Sequence, residues 1–188
     1  MLNLQITIPG ECPIKKNAAK HQSFYWDKNR KVKIPLPYNI VYYTKEYKDW
    51  VKTGIVHLHN YKEFMMREHS VTFPLTGSYF VSFWIFRSKK DSLEESRSKV
   101  DLINLLEAPQ DLLSGRAGNF LDTKSKKFDH SYYQILQDDN CRIITSLGTS
   151  KVFYDITPRT VIYISSFSME KYLEVHKILH TENGVVGA

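Results

Sequence analysis

The residues in this chain best suited to chemistry are two groups of carboxylates. Asp101, Glu107 and Asp111 recur along residues 101–113, and the pair Asp138 and Asp139 follows the apolar run 133–136. The chain around them is basic, with 26 Lys and Arg against 20 Asp and Glu and a formal charge of +6. Hard divalent cations take carboxylate oxygen, and DNA phosphates take Lys and Arg. Acids gathered inside a positive chain therefore point to metal-dependent chemistry on a nucleic acid. The same residues also suit a solvated helix face and, for Asp138 and Asp139, a turn.

The elements that must position these acids can be read from periodicity. At about 100° per residue, Leu102, Leu105, Leu106, Leu112 and Leu113 share one stripe of a helix over 101–113, and Asp101, Asn104, Glu107, Ala108 and Asp111 share the opposite one. Ile103 falls outside the apolar stripe. Pro109 lacks a backbone donor and is expected to kink or end the helix. A strand over 133–137 ends at Asp138 and Asp139, where a rigid element meets an exposed loop.

Further strands are expected near 3–8, 78–86, 150–154 and 160–165, from their alternation and their β-branched and aromatic content. Apolar residues at three- and four-residue steps predict a second amphipathic helix near 45–67, weakened at Gly54 by about 1 kcal/mol relative to Ala. His57 and His59 are two apart on that helix and do not face a common ion. Residues 114–131 read as a polar, Gly-containing mobile insert, and a last helix is expected at about 169–180. Between the first strand and the long helix runs a basic loop, in which Lys28, Arg30, Lys31 and Lys33 are interleaved with Phe24, Tyr25 and Trp26. Aromatics among cations suit base stacking, and they also suit a solvated loop with a few packed anchors. The expected architecture is α+β: a single-domain two-layer sandwich spanning 1–188, with a mixed sheet of about five strands and helices on one face.

The bulk composition sets limits. An apolar content of 42% with 13% aromatics excludes wholesale disorder. Cys12 and Cys141 form no C-x-x-C pair and read as reduced thiols. The start of the chain alternates like a strand and carries no charged n-region, so no signal peptide is expected. No apolar run is long enough to span a membrane. A cytoplasmic location is the expectation.

The order of these features resembles the RusA family of Holliday-junction resolvases of phages and prophages, whose pattern is D-x-D-N-x-x-K-x-x-x-D-x-L followed by a strand and D-D. The matching residues are Asp101, Asn104, Asp111, Leu113, Asp138 and Asp139, and the opening Ile6-Thr7-Ile8-Pro9-Gly10 with Pro13 and Lys15 is similar to the family's first strand and turn. Two positions depart from the pattern: Ile103 stands where the family has its second Asp, and Glu107 where it has Lys.

The resemblance implies a homodimer that binds a four-way DNA junction or other branched DNA and hydrolyses phosphodiesters with Mg²⁺, or with Mn²⁺ in its place. It further implies Asp101 and Asp139 as direct metal ligands, with Asp138 and Asp111 as auxiliary metal-site groups. Glu107 is then expected to replace the missing carboxylate in part, making Asp101, Asp139 and Glu107 the catalytic set. Lys15, Lys16 or Lys99 would supply the missing cation, and Lys15, Lys16, Arg97 and Lys99 would contact DNA. The competing expectation is a DNA-junction-binding protein of the same descent whose metal site is impaired.

Overall fold

The computed structural model of this chain describes residues 2–14, 19–88, 102–122, 126–139, 143–147 and 150–168. Its centre is a mixed five-stranded sheet built from β1 (Asn3–Pro9), β4 (Tyr79–Ser88), β5 (Ile144–Leu147), β6 (Lys151–Asp155) and β7 (Arg159–Ser166). β7 lies between β1 and β4 and is antiparallel to both, whereas β5 and β6 pair in parallel with successive halves of β4 on its other edge. Two long helices, α1 (Lys45–His69) and α2 (Leu102–Leu113), complete the α+β core.

Alternation in the strands decides which face is buried. Ile8, Thr160 and Ile85 form one cross-strand row, Ile6, Ile162 and Phe83 the next, and Leu4, Ile164 and Val81 the third, all of them buried. Against these rows pack Tyr47, Trp50, Val51, Ile55 and Leu58 of α1, with Leu105, Leu112 and Leu113 of α2. The other face carries Trp84, Phe86, Phe153 and Tyr163, whose rings touch one another, and Arg159 lies 3.8 Å over the Phe86 ring. The helices cover one face of the sheet, as the α+β reading requires.

Two local features of the helices have tertiary causes. α2 does not end at Pro109 but continues to Leu113, although proline leaves the carbonyl four residues earlier without its helical donor. That carbonyl belongs to Leu105, and the buried Cys12 thiol lies 3.7 Å from it as a substitute donor. Burial pushes the Cys12 thiol pKa up to about 12, so it stays protonated for this bond. Gly54 also has a packing reason to sit inside α1, because a Cβ there would overlap the side chain of Leu112. The helix gives up propensity so that α1 and α2 can approach.

The strand expected over 133–137 is absent. Tyr133, Ile135 and Leu136 are fully buried, but only Leu136 joins a β-bridge, to Leu75, and the fifth strand is β5 instead. A short apolar run is buried equally well in a strand or in a packed turn, and its pattern does not separate the two. Residues 114–122 are not a loose insert over their length either: a 3-10 helix spans Ala117–Leu121 and buries Ala117 and Gly118. A second 3-10 turn, His130–Tyr132, is clamped to α1, where Lys62 Nζ donates to the Ser131 carbonyl at 2.6 Å and His59 Nδ1 lies 3.2 Å from the Tyr132 carbonyl. The basic loop is a two-stranded antiparallel ribbon, β2 (Ala19–Asp27) with β3 (Val32–Tyr43). The expected helix at 169–180 lies outside the described residues.

Candidate functional site

The site is assembled at the C-terminal end of α2. Gly115 has a φ of 81°, a conformation that glycine adopts without a Cβ penalty, and its N–H donates to the Leu112 carbonyl at 3.3 Å. The next N–H, of Arg116, donates to the Asp111 carbonyl at 2.8 Å. These two bonds are the Schellman closure of a helix. The closure folds the chain back and places Arg116 beside the last turn.

Residues 134–139 are tied to the same helix end. The Leu113 carbonyl accepts from the N–H groups of both Ile135 and Leu136, each at 3.0 Å. Gln134 Nε2 donates to the carbonyls of Ser114 and Gln137, at 3.0 and 2.9 Å. The Tyr133 hydroxyl donates to the Gly115 carbonyl at 2.9 Å. On the far side, Leu75 N–H donates to Ile135 O and Gln137 N–H donates to Leu75 O. Little freedom remains for the residues that follow.

Those residues are Asp138 and Asp139. The Arg116 guanidinium spans both, with Nη2 on Asp138 Oδ1 and Nη1 at 2.7 Å from Asp139 Oδ1. Asp139 N–H donates to Asp138 Oδ1 at 2.8 Å. The Asp139 side chain is 16% exposed and that of Arg116 54%. Burial pushes the Asp139 carboxyl pKa up, as do its hydrogen bond with Asp138 and the charge of Asp111, and together they outweigh the lowering by Arg116. Burial is the largest of these causes, so the ionised form of Asp139 is the one its surroundings disfavour.

Three of the acids expected from the sequence, Asp111, Asp138 and Asp139, thus share one neighbourhood. Asp111 is buried, and its charge is felt at Asp139, Tyr47 and Tyr133. Glu107 is exposed on α2, one turn before Asp111. Leu102, at the start of α2, is about 14 Å from Asp111 along the helix axis at 1.5 Å per residue. Asp101, Lys15, Lys16, Arg97 and Lys99 lie outside the described residues. Arg116 is not among the residues that spacing alone picks out; its signal is the Ser-Gly-Arg step just past the last periodic leucine, which reads as a helix stop that turns the next side chain back.

The donor chemistry suits a hard divalent cation. Mg²⁺ retains several waters and takes as few as one or two carboxylates from protein, and Asp138 and Asp139 offer adjacent carboxylates, both paired with Arg116. The C-terminal end of a helix, here that of α2, adds partial negative charge to the same spot. Among the described residues, no three His, Cys, Asp or Glu side chains are grouped so that they could hold a metal ion. No family profile matches the chain, and no curated protein matches it. Among the described residues, no helix is long and apolar enough to cross a membrane.

Proposed function

We propose that the chain is a Mg²⁺-dependent endonuclease acting on branched DNA, with Asp138 and Asp139 as the carboxylates that hold the ion. The observation that carries this reading is the pair of adjacent carboxylates Asp138 and Asp139 at the end of α2, with Asp139 half-buried and both spanned by the half-exposed guanidinium of Arg116. The order of acids along the chain, similar to that of the RusA resolvases, and the formal charge of +6 support the choice of DNA as substrate. The homodimer and the cytoplasmic setting belong to the same proposal.

A divalent ion, when bound, activates water and offsets the charge that grows on the phosphoryl oxygens. The protein's own part is positional. Asp138 and Asp139 are fixed by the 134–137 turn, and Asp111 tunes the charge at Asp139 from below. Arg116 is more than half exposed and so can exchange one carboxylate for a phosphate oxygen, which makes it the cation that replaces the family's lysine at the position of Glu107.

Cleavage of a synthetic four-way junction by the full chain, with and without Mg²⁺, tests the reading. Metal-dependent cutting that falls at least 100-fold in Asp139→Asn, and falls while junction binding is retained in Arg116→Ala, is expected. Absence of cutting with junction binding intact would favour the metal-impaired junction binder, a reading supported by Ile103 and Glu107 at two family positions. Equal cutting by wild type and Asp139→Asn would remove the site from the reaction.

A further inference from the structure

We infer that the β2–β3 ribbon is a nucleic-acid-gripping arm, which stacks Phe24 and Trp26 on unpaired bases while the cations at its tip hold the flanking phosphates. The inference rests on the proposed action on DNA and adds the part of the molecule that would recognise the unpaired bases of a branch.

Among the described residues, the strands of the ribbon pair with each other and not with the main sheet. A lone two-stranded hairpin is marginal in water because it buries neither face, yet this one displays Phe24, Tyr25 and Trp26 at 41, 44 and 54% exposure. Register sorts them: Phe24 opposes Pro35 and Trp26 opposes Lys33, so these four share one face, whereas Tyr25 and Ile34 lie on the other. The Lys33 ammonium sits 4.5 Å from the centre of the Phe24 ring. One face therefore offers two aromatic surfaces with a cation between them.

The charge at the tip selects the partner. Lys28, Arg30, Lys31 and Lys33 crowd the turn, and Asp27 is the one acid from Ala19 through Tyr43. Asp27 is occupied in closing the turn: its Oδ1 accepts from the N–H groups of Asn29 and Arg30, at 2.9 and 3.2 Å, and its Oδ2 lies 3.8 Å from Arg30 Nε. Exposed rings beside several cations complement a polyanion that also has flat apolar faces. Single-stranded or unpaired nucleic acid has both properties, since bases stack on aromatic side chains in a sequence-tolerant way and phosphates take Lys and Arg. An acidic protein surface would use the charges and leave the rings in water.

The test is metal-free binding by the full chain, read as fluorescence anisotropy of a labelled single-stranded oligonucleotide and a labelled four-way junction across a salt series in EDTA. Replacing Lys28, Arg30 and Lys31 together by Ala is expected to weaken both complexes and to flatten the slope of log K against log salt by about 2 to 3, at about 0.7–0.9 for each phosphate left without its cation. Phe24→Ala with Trp26→Ala is expected to weaken binding about 10- to 100-fold at an unchanged salt slope, with Trp26→Phe alone close to wild type. Circular dichroism of each variant checks that the core is intact. If both sets bind as wild type does while the wild type still cuts DNA, the arm is refuted and the nuclease reading stands. If both sets lose binding as described while no cutting occurs, the arm stands and the nuclease reading fails. Failure of the wild type to bind either DNA overturns both.

Discussion

Arg116, Asp138 and Asp139 are held by a helix closure, a buried tyrosine and a ladder of backbone bonds, whereas Trp26, Lys28 and Arg30 sit on a ribbon hydrogen-bonded within its own sheet alone. The two regions use sequence differently. At the acidic turn, residues 111–116 and 133–139 are tied together by buried side chains and hydrogen bonds, so a small change in the scaffold displaces the carboxylates. At the ribbon the side chains of 23–33 are set by exposure and charge, so they can change without disturbing the core. The proposed reaction on a large, deformable substrate would use such a difference, with precision at the bond and adaptability at the arm.

That contrast can be broken at several points. The largest effect is expected from Leu113→Ala, which empties a fully buried site beneath the acidic turn and should cost about 2–5 kcal/mol in urea denaturation. An equal loss from Trp26→Ala, expected to stay within about 0.5 kcal/mol, would erase the distinction between scaffold and arm. Gly54→Ala comes next: despite the better helix propensity of Ala, the overlap with Leu112 should destabilise the fold by about 1–3 kcal/mol. A gain in stability there would mean that α1 and α2 do not approach as described.

Smaller effects follow from titration. The raised pKa of Asp139 means that folding favours its protonated form, so its stabilising contribution is present below the unfolded value and lost as pH rises through the folded value. Asp139→Asn should therefore raise the thermal midpoint modestly at neutral pH without metal, with the difference vanishing in acid; a lower midpoint at neutral pH would show that folding does not disfavour the ionised carboxylate. Glu11 has the opposite sign. Burial pushes its carboxyl up, but hydrogen bonds from the Ser88 N–H, the Arg87 guanidinium and the Ser88 hydroxyl outweigh that and leave it below the usual range. Its contribution is present above the unfolded value and lost as pH falls through the folded one, so Glu11→Gln should weaken the fold at neutral pH and converge with wild type in acid.

Much of the architecture is legible in the sequence because period-2 and period-3.6 patterns carry burial directly. Leu4, Ile6 and Ile8 mark β1, Val81, Phe83 and Ile85 mark β4, and the apolar steps of α1 give its extent within two residues at the C-terminal end. Elements whose form depends on partners elsewhere are not legible. Tyr133, Ile135 and Leu136 are apolar because α2 and the Leu75 segment enclose them, and nothing local says that they do not form a strand. Pro109 lies inside α2, and the partner of the carbonyl it leaves without a donor is Cys12, nearly a hundred residues away in sequence. The ribbon is hidden by charges and by Pro35 and Pro37, which interrupt alternation although a lone hairpin tolerates them at its edges. Of the site, the convergence of Asp111 with Asp138 and Asp139 follows the sequence order, but the role of Arg116 depends on a glycine closure that composition does not reveal.

The central claim is that the turn at the end of α2 accepts a divalent cation. Titration of Mn²⁺ into the metal-free chain, followed by the loss of its free-ion electron paramagnetic resonance signal, tests this without DNA or turnover. The account predicts one bound Mn²⁺ per chain, displaced by excess Mg²⁺ and lost in Asp138→Asn with Asp139→Asn. Uptake that is absent in wild type, or unchanged in the double variant, would contradict it.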